Sequence, residues 1–385
     1  MEYGNASGLV WKLASLLNTR KNGKYKIEVV KNGVEIEAPC LVLANHGSIM
    51  DYRVSAYVLK KHCPSHVAAA NQFAGKKALM KKLGCVPTVQ FVPDVKLVSV
   101  LKNLLNSGKV IVIFPESAVS FDGTTREIDK NIAKFVKVAK VPVYSLLIKG
   151  GYVAKPRYDE VFRKNCLIEA ELNLILSKEQ TINSDTQKIH EKITSALSFD
   201  VWKWMDEKSL TVSGKSLACG VENLLTYCDA CGSENVFSCE GKLICPDCGR
   251  ELVFNQNGKI FDNDGKQTNL HLLFENQRKI VSEKLKDKSF KVECDSEAFM
   301  LDGLDGFKKT ASGIFRHTYD FSEFLIDGKP KFVFKNGVRR SVPVGNDFIE
   351  FGDTEKCVRF YLKQKKAAMR CALAVEESFK LKNRD

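Results

Sequence analysis

Residues 41–52, LVLANHGSIMDY, decide how the chain is read. Leu41, Val42 and Leu43 form a short apolar run that predicts a buried strand. The run ends at Ala44, Asn45 and His46, and the ends of strands are where α/β sheets hold their sites. Asp51 stands five residues beyond His46. If the chain turns into a helix after Gly47, Asp51 folds back to accept a hydrogen bond from one imidazole nitrogen. That bond fixes the tautomer and leaves the other nitrogen as a base. Such a base takes the proton from a substrate hydroxyl, an assistance of roughly 100- to 10,000-fold in rate. Taken alone, the stretch equally describes a strand-end histidine in a satisfied loop, with Asp51 as a helix cap.

A second stretch tips the balance. Residues 110–114, VIVIF, predict another buried strand, and Pro115, Glu116 and Ser117 follow it. Two such strands joined through a helical segment make a crossover unit with both polar clusters on one sheet edge. Asn45, His46 and Asp51, followed roughly seventy residues later by Phe114, Pro115, Glu116 and Ser117, resemble two ordered motifs of the glycerophospholipid acyltransferase family, lysophosphatidate acyltransferase type. Val141 and Pro142, opening a further strand, resemble a later motif that helps line the acyl site. The likeness runs over about residues 9–176.

The resemblance implies acyl transfer from a thioester, acyl-CoA or acyl-ACP, to the hydroxyl of a lysophospholipid or glycerol phosphate. It implies His46 as the base, Asp51 as its orienting partner, and Glu116 as a contact to the acceptor's polar head. Asn45, Ser117 and Arg126 complete the expected substrate-binding set. Two departures stand out. Ser117 replaces the usual glycine. The middle motif, which carries an arginine for the acceptor phosphate, reads GCVPTVQFVPD at 84–94 and holds no arginine. Lys96 and Arg126 are the replacements to consider. These departures keep open a second expectation, a catalytically inactive zinc-ribbon adaptor or nucleic-acid-binding protein.

The whole chain sets bounds. Its 385 residues suit two or three domains, and 44% apolar with 27% charged residues is a globular balance. A net charge of +13 suits an anionic partner such as an acidic membrane face or a phosphorylated substrate. The first residues lack the basic start and apolar core of a secretory signal, and no apolar run approaches the ~18 residues of a membrane span. Thirteen cysteines, most of them scattered singly, fit a reducing compartment. The expected location is therefore cytoplasmic, peripheral on the inner face of the membrane.

Leu9, Val10, Leu13, Leu16 and Leu17 share a helical face, followed by Arg20, Lys21, Lys24 and Lys26. This pattern describes an interfacial helix on an anionic membrane, or an amphipathic helix packed on its own domain. Residues 25–30 and 34–36 flank Lys31, Asn32 and Gly33, which predicts a hairpin. The lysines of 74–83 suit donor phosphates, lipid heads or a solvated face. The loop Asp122-Gly123-Thr124-Thr125-Arg126 suits a turn that offers backbone N–H groups to an anion. Residues 149–152 are expected to loop.

Further on, Cys228 and Cys231 form one C-x-x-C pair, and Cys245 and Cys248 form another after thirteen intervening residues. Gly232 and Gly249 each follow a pair. Four thiolates in two knuckles predict a structural, tetrahedral zinc site with no open position for catalysis. Acidic residues balance the basic ones there, so docking or structure is a better reading than nucleic-acid binding. Beyond it, short alternating segments separated by Asp-Gly and Asn-Gly turns predict a β module, with His317 a satisfied strand residue. The expected architecture is an α/β acyltransferase domain with a mixed sheet flanked by helices (1–207), a zinc ribbon (217–263), and a small mainly-β module with flanking helices (264–385).

Overall fold

The structure, a computed structural model, describes residues 3–383 apart from 23, 24, 31, 161, 164 and 354. In the first helix the side chains of 15, 16 and 18–22 also lie outside the description, so the expected contributions of Leu16, Arg20, Lys21, Lys24 and Lys31 fall outside it. The chain divides into two compact units, Met1–Thr88 with Asp94–Gly214, and Val89–Pro93 with Lys215–Asp385.

The first unit is built on a seven-stranded sheet. Its strands are β1 (Lys26–Val30), β2 (Cys40–Ala44), β3 (Ser65–Ala69), β4 (Cys85–Thr88), β5 (Val110–Ile113), β6 (Val143–Lys149) and β7 (Leu167–Leu176). They lie in the order β1-β7-β6-β2-β5-β3-β4. All neighbours are parallel except β6 and β7, so the sheet is mixed, as expected. Around it run α1 (Gly8–Asn22), α2 (Asp51–Val58), α3 (Lys77–Lys82), α4 (Val95–Asn106), α5 (Asn131–Ala139), α6 (Gly151–Ala154), α7 (Lys178–Asn183), α8 (Thr186–Leu197) and α9 (Val201–Glu207).

Every residue of β2 is buried, the signature of a parallel strand covered on both faces. Leu41 and Leu43 pack in one core with Leu101 and Leu105 of α4, Val136 of α5, and Ile189, Ile193 and Leu197 of α8. The helices begin where the sequence supplies caps. The Asp94 carboxylate accepts from Leu97 N at 2.9 Å, and Asp185 accepts from Lys188 N at 2.8 Å.

Two local expectations need correction. The turn at Asn32 and Gly33 forms, with φ of 46° and 73°, but the described residues 34–36 make no strand after it. Instead β1 pairs in parallel with β7, Lys26 opposite Leu167, and the Asn32 amide donates to Asn173 at 2.7 Å. Residues 149–152 do not simply loop. Gly150 takes a left-handed φ of 83° and launches α6.

The second unit holds two sheets. The ribbon sheet contains β8 (Phe237–Cys239), β9 (Lys242–Cys245), β10 (Arg250–Phe254), β11 (Ile260–Asp262) and β12 (Gln267–Thr268), an antiparallel meander. After α10 (Leu270–Lys286) comes a six-stranded antiparallel sheet. It consists of β13 (Val292–Leu301), β14 (Phe307–His317), β15 (Phe321–Ile326), β16 (Lys329–Lys335), β17 (Phe348–Gly352) and β18 (Cys357–Leu362), in the order β16-β15-β14-β13-β18-β17. The helix α11 (Ala367–Lys382) is buried from Ala367 to Ser378 and packs on α10 and on β13 and β17. Arg278 of α10 forks onto Glu376 at 2.7 Å and Glu377 at 2.9 Å. The ribbon and the β module thus belong to one compact unit. Among the described residues no helix is long and apolar enough to cross a membrane.

Candidate active site and metal centre

β2 and β5 are parallel neighbours, with Cys40 opposite Val110 and Leu43 opposite Ile113. Their carboxyl ends therefore bring His46 and Glu116 to one edge of the sheet, although 70 residues separate them. After Gly47 the chain turns and Asp51 becomes the first residue of α2. From there its Oδ2 lies 3.1 Å from His46 Nδ1 and accepts from Ser48 N at 2.7 Å. A carboxylate only accepts, so Nδ1 carries the proton and Nε2 holds the lone pair. Asp51 is fully buried, whereas the His46 side chain keeps 21% of its surface exposed. Burial pushes the Asp51 carboxyl up, and the His46 and Ser48 hydrogen bonds pull it back. The imidazole also packs on Phe114, ring centroids 4.5 Å apart.

Glu116 is almost wholly buried. Its Oε1 accepts from His46 N at 2.6 Å and its Oε2 from Arg126 N at 2.6 Å. Burial nevertheless pushes its carboxyl up to about 7. Its geometry is that of a clip tying the end of β2 to the loop after β5, which differs from the expected contact to an acceptor head. Asn45 is committed in the same way. Its amide donates to Ile148 O at 2.9 Å and accepts from Ile148 N at 2.6 Å, continuing the β2–β6 ladder through a side chain. Ser117 adopts a left-handed φ of 62°, the conformation a glycine reaches without strain.

The loop that was expected to offer amides to an anion spends them internally. Gly123 N donates to Ser120 Oγ at 2.9 Å, Thr124 N to Asp122 Oδ1 at 3.1 Å, and Thr125 N to Phe199 O at 2.9 Å. Ser120 N donates to His46 O at 2.7 Å, which fastens this loop to the histidine. The Arg126 guanidinium lies 4.0 Å from the centroid of the Phe121 ring, and that of Arg157 lies 5.2 Å from it. Ser48, Ser120 and Tyr152 were not singled out from the sequence. Ser48 Oγ and Tyr152 Oη donate to the carbonyls of Lys155 and Phe121 in distant segments, which no local pattern announces, whereas Ser120 Oγ serves its own loop at Thr124 O and Gly123 N.

The four ribbon cysteines converge. The sulfur atoms of Cys228, Cys231, Cys245 and Cys248 all lie within 4.8 Å of one another, with Cys228 to Cys248 at 3.6 Å and Cys231 to Cys245 at 3.7 Å. A tetrahedron of Zn–S bonds of about 2.3 Å has sulfur–sulfur edges of about 3.8 Å, so the donor set fits zinc. Gly232 and Gly249 both take φ of 71°, and each donates its amide back to the first cysteine of its knuckle. Arg250 binds Asp229 through Nη2 at 2.8 Å and Asp262 through Nη1 at 2.9 Å, bracing the first knuckle against β11. Cys219 and Cys239 stand outside the cluster. His317 is buried in a closed network with Ser322 Oγ at 2.8 Å and Asn336 Nδ2 at 3.4 Å, and burial lowers its pKa to about 3.

No curated protein matches the chain. Among solved structures it is similar to the 1-acyl-sn-glycerophosphate (LPA) acyltransferase, PlsC, from Thermotoga maritima. That likeness has 18% identity and a TM-score of 0.41, over 49% of this chain and 78% of that one. A family model described as Acyltransferase matches residues 22–149, which span both strand-end motifs and the sheet edge that joins them. That match spans about a third of the chain, and over those residues the chain is similar to acyltransferases.

Proposed function

We propose that the first unit transfers a fatty acyl group from a thioester to the hydroxyl of a lysophospholipid such as 1-acylglycerol 3-phosphate, in phospholipid biosynthesis. The observation that carries the reading is the His46–Asp51 pair at the end of β2, with one ring nitrogen committed and the other available. His46 Nε2 removes the acceptor's hydroxyl proton as the oxygen attacks the thioester carbonyl. Asp51 orients the ring and stabilises the imidazolium. The tetrahedral intermediate then expels the thiol, coenzyme A or acyl carrier protein, which recovers the proton. Glu116 and Asn45 act at one remove, holding the backbone on which His46 is presented. Arg126, beside Phe121, is the cation assigned to the acceptor phosphate in place of the missing middle-motif arginine.

The test is release of free thiol from palmitoyl-coenzyme A with and without lysophosphatidate, beside His46→Ala. The expected outcome is acceptor-dependent release that falls at least ~100-fold in the variant while its circular dichroism is unchanged. Release that survives His46→Ala overturns the mechanism. Silence with coenzyme A and carrier-protein donors alike favours the inactive adaptor.

In the second unit, zinc would be held by Cys228, Cys231, Cys245 and Cys248, where it supplies folding energy. With four thiolates it has no vacant position, so the acyl chemistry is assigned to the first unit alone. Membrane attachment is proposed to run through α1. There Leu9, Leu13 and Leu17 are 71%, 56% and 58% exposed at successive helical turns.

A further inference from the structure

We propose that Gly151 is a positioning residue for the His46–Asp51 pair, its missing side chain making the space in which the Asp51 carboxylate stands. The inference rests on the reading of His46 as the base and adds a residue to that site.

Asp51 is secured through one oxygen. Oδ2 takes His46 Nδ1 and Ser48 N, whereas Oδ1 is buried and accepts no hydrogen bond among the described residues. A carboxylate held at one oxygen is free to turn about its Cβ–Cγ bond unless something solid backs the other. The first turn of α6 is that backing. A Cβ added at Gly151 would lie 2.7 Å from Asp51 Oδ1 and 3.5 Å from Ser48 Cβ. The first distance is well inside the ~3.5 Å at which non-bonded heavy atoms rest. Oδ1 is therefore seated against the bare α-carbon, with no room for a methyl group.

The adjacent glycine isolates the cause. Gly150 has φ of 83°, and a Cβ there would collide with the Leu167 carbonyl, so the fold itself requires it. Gly151 has no left-handed φ, and its backbone suits any residue. What forbids a side chain at 151 is the Asp51 carboxylate. Nor can α6 retreat. Ser48 Oγ donates to Lys155 O at 3.1 Å, and Tyr152 Oη donates to Phe121 O at 2.7 Å, tying the turn to both loops of the site. The added methyl is taken up by Asp51, whose rotation draws Oδ2 away from His46 Nδ1.

The test is Gly151→Ala in wild-type and Asp51→Ala backgrounds, with Gly150→Ala as the control for fold. In the wild-type background Gly151→Ala should lower kcat by about 10- to 100-fold with KM unchanged, since misplacing a catalytic group by about 1 Å costs that order. In the Asp51→Ala background the same change should lower kcat by less than about twofold, because the atom it displaces is gone. Equal losses in both backgrounds overturn the inference. If Gly151→Ala fails to fold, folding restored by Asp51→Ala supports it, and failure in both backgrounds overturns it. If the wild type transfers no acyl group, the acyltransferase reading fails by itself. The ¹⁵N resonances of the His46 ring then decide: Gly151→Ala should move Nδ1 toward its Asp51→Ala position, and an unmoved resonance overturns the inference.

Discussion

Glu116 carries more of the site than its buried position suggests. Both of its oxygens accept backbone N–H groups, and this requires the carboxylate. Protonation turns one oxygen into a donor facing a donor. The folded-state pKa of about 7 lies above the ordinary 4.5 of a free glutamate, so between those values the native state binds the proton more tightly than the unfolded chain. Stability therefore falls as pH rises through this window, while the amide clip strengthens. Glu116→Gln abolishes the titration and leaves one amide without an acceptor. We expect kcat to drop about tenfold at pH 8, with the shoulder near pH 7 in the stability–pH curve removed. Thermal midpoints from pH 5 to 9 check this. A wild-type shoulder retained in the variant would reassign the titration. At Ser117 the left-handed φ makes the opposite case: Ser117→Gly should raise stability by about 1 kcal/mol in equilibrium unfolding.

At the scale of elements, what the sequence disclosed depended on how local the signal was. β2 and β5 are continuous apolar runs, so their strands and the polar clusters after them were plain. The helix α10 starts at a cap that the structure supplies, the Asn269 side chain accepting from Leu272 N at 2.9 Å. The strands β15 and β18 went unread. In β18, Arg359 breaks the apolar run, yet it lies 4.2 Å and 4.1 Å from the Phe307 and Phe348 ring centroids, contacts made only by the folded sheet. The Asn32-Gly33 turn misled for a related reason, since turn chemistry fixes a bend but not the partner of the strand entering it. At the site, His46 and Asp51 were legible because they are five residues apart. The commitments of Asn45 and Glu116 were not, because their partners lie 103 and 70 residues away. The ribbon was legible through its spacing, and its prediction is direct. Metal analysis should find one zinc per chain, and chelation should lower the thermal midpoint of the second unit. Proteolysis after chelation should then cut beyond Gly214 first. A chain whose melting ignores chelators would remove the metal.

For the whole molecule, the proposed membrane attachment draws on the net charge of +13 and on the exposed Leu9, Leu13 and Leu17 together. Anionic phospholipid vesicles should sediment the protein, neutral ones far less, and binding should weaken as salt shortens the Debye length from ~10 Å at 0.1 M. Leu13→Glu should reduce partition at least tenfold without changing the far-ultraviolet spectrum. Vesicle binding indifferent to both salt and Leu13 would relocate the contact. The fork of Arg278 onto Glu376 and Glu377 bears on the history of the chain. All three side chains are mostly buried, so losing Arg278 takes the guanidinium from two buried carboxylates at a cost of about 3–5 kcal/mol, whereas losing one acid leaves Arg278 the other. A lineage that replaces Arg278 must first pass through a weakened ancestor or change the acids as well. Positions 278, 376 and 377 should consequently be inherited as a set and vary together across descendants of this chain.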